Sequence, residues 1–138
     1  TVTGDEAMEL AKAAEQAVQV KACEYINIKP GRVGALHNSI AIHDLARDAG
    51  IPVWVGGMLK SAVGAAVCVE LATLDNFTYP GDLFPSSRFY TQDLADPPLE
   101  LTPRVTFEPI IGGLPEPDPD RLQKATVQYK RISPDGPA

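Results

Sequence analysis

Four stretches of this chain end in residues that could do chemistry. Asp5-Glu6 offers two carboxylates, Lys29 an ammonium, Gly56-Gly57-Met58 a rim nearly bare of side chains, and Gly81-Asp82 a further carboxylate. Each follows a β-prone run, and Lys29 comes 24 positions after Asp5. Lysine is seldom fully buried unless paired. A lysine that ends the run Tyr25-Ile26-Asn27-Ile28, directly before Pro30-Gly31, therefore projects its ammonium from the mouth of a sheet or barrel. A carboxylate at the neighbouring strand end suits a hard cation such as Mg²⁺. A desolvated lysine beside a cation has a lowered pKa and can act as a base. Taken singly, each residue also has a plain structural use. Asp5 suits a helix N-cap, Lys29 a solvated strand end, Asp82 a turn after Pro-Gly, and Met58 packing. Their recurrence at equivalent strand ends is what points to a site, because reactive groups in parallel α/β folds gather at the C-terminal ends of strands.

The elements that must position these groups alternate. Thr1-Val2-Thr3 reads as the tail of a strand, and Glu6 to Val20 as a helix with Ala7, Leu10, Ala14 and Val18 at helical spacing. Tyr25 to Ile28 is the next strand and Pro30 to Gly34 a loop. A helix over about Ala35 to Ala49 ends at Gly50, as a glycine just past a helix does. Ile51 to Val55 is the third strand, Lys60 to Thr73 the third helix, and Asn76 to Tyr79 a short fourth strand. Spacings of 24–25 residues between strands leave room for one crossover helix each, which implies parallel βαβ units. Three such units are too few to close an eight-stranded barrel, but they make half of one or an open doubly wound sheet. After Gly81 the character changes. Residues 84–138 hold most of the 13 prolines. Strand-like pieces there (Leu99 to Leu101, Val105 to Phe107, Val127 to Ile132) are split by turn signals, and Asp118-Pro119-Asp120 opens a short helix. This part is expected to wrap over the α/β unit.

The chain resembles the o-succinylbenzoate synthase / N-acylamino acid racemase branch of the enolase superfamily. The runs that carry the resemblance are Asn27 to Gly34, Ile42 to Ala46, Gly50 to Trp54 and Gly56 to Leu59, continued by Asn76 to Asp82, Ser86 to Tyr90 and Asp118 to Leu122. The resemblance implies the C-terminal half of an enolase-type (β/α)7β barrel, a partial TIM-like barrel of about strands five to eight over residues 1–83. It also implies a Pro-rich extension over 84–138 that packs toward a capping domain. It implies Mg²⁺, or another divalent ion such as Mn²⁺, held by carboxylates at successive strand ends, and an enediolate formed by removing a proton α to a carboxylate. Asp5 matches a metal-ligand position and Lys29 the second of two catalytic lysines. In racemisation that lysine is the acid/base on one face; in the dehydration its charge stabilises the enolate. Gly57 and Met58 match a segment that lines the substrate, and Phe89 borders the side-chain pocket.

There are departures too. The family's first catalytic lysine, in a Lys-x-Lys motif, and its first two metal carboxylates lie on earlier strands and have no counterpart here. Lys60 stands where the family usually has Glu, Ala65 where Arg is common, and Leu83-Phe84-Pro85 replaces a smaller, more polar segment. Glu6, Lys60 and Asp82 are accordingly candidates without an assigned role.

Composition narrows the partners. A net charge of −6 with only 12 Lys+Arg spread along 138 residues argues against nucleic acid. No apolar run approaches the roughly 18 residues of a membrane span, and the first residues lack signal-peptide regions. Cys23 and Cys68, 45 positions apart, read as buried thiols of a reducing cytosol rather than a zinc or redox pair. His37 and His43, six apart, read as surface or satisfied helix residues. Two readings follow. In the first, the chain is part of a lyase or isomerase acting on a small carboxylate in the cytoplasm, linked to menaquinone biosynthesis, and inactive by itself. In the second, it is a non-catalytic half-barrel. Either way its open edges lead one to expect a homo-oligomer or association with the missing N-terminal half.

Overall fold

The structure, a computed structural model, describes residues 3–4, 11–108 and 110–129. Strands β1 (Thr3–Gly4), β2 (Tyr25–Ile28) and β3 (Val53–Val55) form a parallel sheet in the order β1-β2-β3. Helices α1 (Ala11–Gln19), α2 (Leu36–Asp48) and α3 (Ala62–Leu71) follow the strands in turn. The register sets Ile26 opposite Val53, Asn27 opposite Trp54 and Ile28 opposite Val55. Successive side chains on a strand point to opposite faces. Ile26, Ile28, Val53 and Val55 join Ile42 and Cys68 in the buried core against the helices. Tyr25, Asn27 and Lys29, with Trp54 and Gly56, line the other face. At the N-terminal end of that face the Tyr79 hydroxyl donates to the Tyr25 hydroxyl at 2.8 Å.

The α2 exit follows its sequence signal closely. Gly50 adopts φ +70°, its N–H donates to the Arg47 carbonyl, and the Ile51 N–H donates to the Ala46 carbonyl. This is the glycine-ended Schellman pattern. It also explains why β3 begins at Val53 rather than at Ile51 as predicted. The Ile51 N–H is committed to the helix cap, and Pro52 has no N–H to pair.

The fourth strand is reduced to two isolated parallel bridges, Val53 with Phe77 and Gly56 with Asp82. The Phe77 N–H donates to Leu74 and the Thr78 N–H to Asn76, so these donors serve turns instead of a ladder. His43 clasps this segment to α2. It is 2% exposed, its Nδ1 lies 2.9 Å from Asp44 Oδ1 and its Nε2 3.3 Å from Asp75 Oδ1, and its ring stacks on Phe77. Of the two histidines, this is a satisfied buried residue, while His37 is exposed.

Beyond Gly81 the expected strand-like pieces are not strands among the described residues. Leu99 to Leu101 has no partner edge, and Val105 sits in a local loop in which the Thr102 N–H donates to the Thr106 carbonyl at 2.8 Å. Val127 is fully exposed, and residues 130–132 lie outside the described part. The short helix does form, as α4 (Pro119–Ala125), with the Asp118 carboxylate accepting the Arg121 N–H at 2.9 Å. The segment from Asp93 to α4 is tied down at several points. Asp93 Oδ2 accepts the Ala62 N–H at 2.8 Å and so caps α3, and Arg121 donates to the Ala95 carbonyl and to Asp96. Among the described residues no helix is long and apolar enough to cross a membrane.

Candidate active site

β2 stops at Ile28, and the chain turns at Lys29 because Pro30 cannot extend a ladder. The Lys29 carbonyl accepts from the Arg32 N–H at 2.8 Å and the Val33 N–H at 3.1 Å. Asn38 Nδ2 ties the same turn to α2 by donating to the Val33 carbonyl at 2.7 Å. Lys29 is half-buried, on the face of the sheet away from the helical core.

The two glycines that end β3 are there for space. A side-chain carbon on Gly56 would overlap Asn27 Oδ1 and stand 2.6 Å from Lys29 Cγ. A side-chain carbon on Gly57 would run into the backbone carbonyl of Asp82. Gly56 therefore lets the Lys29 stem lean across β3, and Gly57 lets the fourth segment close in. That approach is fixed by the Asp82 N–H, which donates to the Val55 carbonyl at 2.9 Å.

These approaches leave a cavity of about 300 Å³ lined by Gly57, Met58, Leu59, Asp82, Phe84 and Phe89. The Phe84 and Phe89 rings meet edge to face with centroids 6.5 Å apart, and the Arg88 guanidinium lies 4.2 Å over Phe84. The Tyr90 hydroxyl donates to the Leu59 carbonyl at 3.1 Å and holds the rim. Of the residues singled out in the sequence, Gly57, Met58, Asp82 and Phe89 come together here. Lys29 is not part of the lining, but it is one glycine away. Its stem rests on Gly56, and a side-chain carbon on Gly31 would touch Met58 Sδ at 3.4 Å. Leu59 and Phe84 were not anticipated. Phe84 stands in the sequence only as a departure from the family pattern, and Leu59 only as the end of the run from Gly56.

Lys60 lies apart from this cavity. Its stem runs along Gly64 of α3, and its ammonium is buried against the Cys68 thiol. Burial pushes the neighbouring Cys68 thiol up, and the Lys60 ammonium pulls it the other way. Cys23 and Cys68 are both buried and are not joined in a disulfide.

Asp5 and Glu6 lie outside the described residues. Among the described residues no group of three His, Cys, Asp or Glu side chains could hold a metal ion. The described part of the chain therefore does not by itself fit Mg²⁺. What the rim can do chemically is narrower. It sets the Lys29 stem, seated on Gly56, next to a small aromatic-lined cavity.

Known proteins share this fold and sequence pattern. The model of the enolase C-terminal domain-like family matches residues 1–106. An o-succinylbenzoate synthase of Geobacillus stearothermophilus is 43% identical over 129 residues, which cover 93% of this chain and 34% of the relative. An N-succinylamino acid racemase of Amycolatopsis is 46% identical over 93 residues, covering 67% of this chain and 25% of the relative. The crystal structure of an enolase-superfamily member from Listeria innocua superposes with a TM-score of 0.73 at 35% identity, over 88% of this chain and 33% of that one. The chain thus spans about a quarter to a third of the length of these relatives.

Proposed function

The chain belongs to the enolase C-terminal domain-like family, and from that premise we propose that it forms the C-terminal barrel portion of an enzyme that takes a proton from the carbon α to a carboxylate. The activity is that of an o-succinylbenzoate synthase, an N-acylamino acid racemase, or both, since relatives bear both names. The observation that carries this reading is the seat of Lys29. Its stem is laid across Gly56, next to the cavity of Met58, Asp82 and Phe89. In racemisation Lys29 exchanges a proton with one face of the α-carbon. In the dehydration its ammonium offsets charge on the enolate, a favourable placement for a preorganised cation. Gly57 and Met58 line the substrate and Phe89 borders its side chain.

Asp5 would be one ligand of the family's Mg²⁺, which would supply a Lewis acid for the substrate carboxylate. The remaining carboxylates and an opposing lysine come from strands beyond those described. The chain therefore functions in association with complementary strands and is inactive alone. Residues 1–83 act as the barrel part and 84–138 as an extension toward a capping domain. The reduced thiols of Cys23 and Cys68 fit a cytoplasmic setting.

The test is a chimera in which this chain replaces the matched segment of the Geobacillus stearothermophilus synthase, assayed for both activities. We expect turnover in the chimera, none in the isolated chain, and a loss of about a thousandfold or more on Lys29→Ala. A folded chimera that is inactive with Lys29 in place would support the non-catalytic half-barrel instead. Full turnover in the Lys29→Ala chimera would remove Lys29 from the chemistry.

A further inference from the structure

Asn27 carries an unexplained carboxamide. The residue is 2% exposed, and both Oδ1 and Nδ2 are buried without a hydrogen-bond partner among the described residues. Buried polar groups are nearly always paired, so an orphaned pair of amide atoms points to a function or to a partner that arrives later. Its position narrows the choice. Asn27 and Lys29 are two residues apart along β2 and share a face. Each reaches the same spot on the next strand: a side-chain carbon at Gly56 would overlap Asn27 Oδ1 and stand 2.8 Å from Lys29 Cε. The carboxamide oxygen and the lysine stem thus lie side by side on the bare Cα of Gly56.

We propose that Asn27 is a positioning residue for Lys29. Its carboxamide walls the lysine stem against Gly56, and its oxygen accepts from the ammonium, fixing the direction from which Lys29 meets the substrate. The inference rests on the reading of Lys29 as the acid/base or charge-stabilising group. It adds an uncharged residue, absent from the assignments above, that acts through Lys29 without touching the reacting atoms. The Nδ2 donor is left for a group on a neighbouring strand or on the substrate.

The experiment uses ¹³C-lysine NMR and kinetics of the chimera. A lysine stem that is held shows two distinct ε-proton shifts, and a mobile one shows a single averaged shift. Asn27→Leu should collapse the Lys29 pair while the amide spectrum of β2 persists, and should lower kcat by about tenfold or more with KM little changed. Asn27→Asp, which keeps shape and acceptors, should retain the split. If Asn27→Leu does not fold, Asn27→Ser, too short to reach the ammonium, replaces it with the same expected readouts. A split and a kcat that survive loss of the carboxamide, in a background where Lys29→Ala abolishes turnover, would overturn the proposal and leave the function standing. If Lys29→Ala itself has no effect on turnover, the functional reading fails, and the ε-proton split alone decides whether Asn27 holds Lys29.

Discussion

At the scale of single residues, the rim depends as much on absent side chains as on present ones. Lys29 can lean over β3 only because Gly56 has no Cβ. Gly56→Ala is expected to displace the lysine stem and to cost about 1–3 kcal/mol through overpacking, read as a lower urea midpoint together with reduced turnover of the chimera. Lys60 presents the opposite case. Its ammonium is buried beside the Cys68 thiol, a weak partner for a charge. Lys60→Met keeps the stem that packs on Gly64 and removes the charge. Stability should rise by about 1 kcal/mol, and an unchanged or lowered midpoint in urea would show that the ammonium is better satisfied than its surroundings indicate.

At the scale of elements, α3 is capped from a distance. Ser61 makes no side-chain cap, and the first N–H of the helix is met by Asp93, 31 residues later in sequence. Burial alone would push the Asp93 carboxyl up. The Ser86 hydroxyl and the backbone N–H groups of Ala95, Ala62 and Leu94 together outweigh it and hold the carboxyl below the usual carboxylate range. A depressed carboxyl stabilises the fold above its unfolded pKa, and that contribution is lost as pH falls through the folded value. The docking of the tail on α3 should therefore weaken in acid, and Asp93→Asn should remove that part of the pH dependence. At neutral pH the same substitution should cost about 1–2 kcal/mol, the worth of a lost helix cap and its companion bonds. Urea midpoints between pH 7 and pH 2 for the two proteins measure both effects. A parallel slope in the variant would shift the acid sensitivity elsewhere. The end of α2 gives a second check on element boundaries: Gly50→Ala, at φ +70°, should cost about 1 kcal/mol.

At the scale of the whole molecule, the sheet is short and its outer positions are weakly paired. Among the described residues β1 has two, and the fourth position holds two bridges. Unpaired strand edges are templates for further pairing. Sedimentation of the isolated chain should accordingly show concentration-dependent association, relieved when complementary barrel strands are supplied. A sharp monomer at all concentrations would argue that the described part is self-sufficient.

The alternation of strand and helix, the Schellman end of α2 and the Asp118 start of α4 were all determined by the sequence alone. Each rests on local chemistry: period-3.6 apolar spacing, a glycine that takes positive φ without strain, and a carboxylate three residues from the N–H it accepts. The mouth residues were legible for a related reason, since a lysine before Pro-Gly and a glycine pair after a β-run mark strand ends. The tertiary structure decided what depends on partners distant in sequence. The fourth strand dissolved into bridges because turns took its N–H groups, and the tail segments with strand-like residues found no edge to pair with. Asp93 became the cap of α3 because the folded tail brings it there. Only the packed sheet shows that Gly56 seats both Lys29 and the orphaned Asn27. Strand residues two positions apart share a face in any sequence, but the neighbour across the ladder is chosen by register.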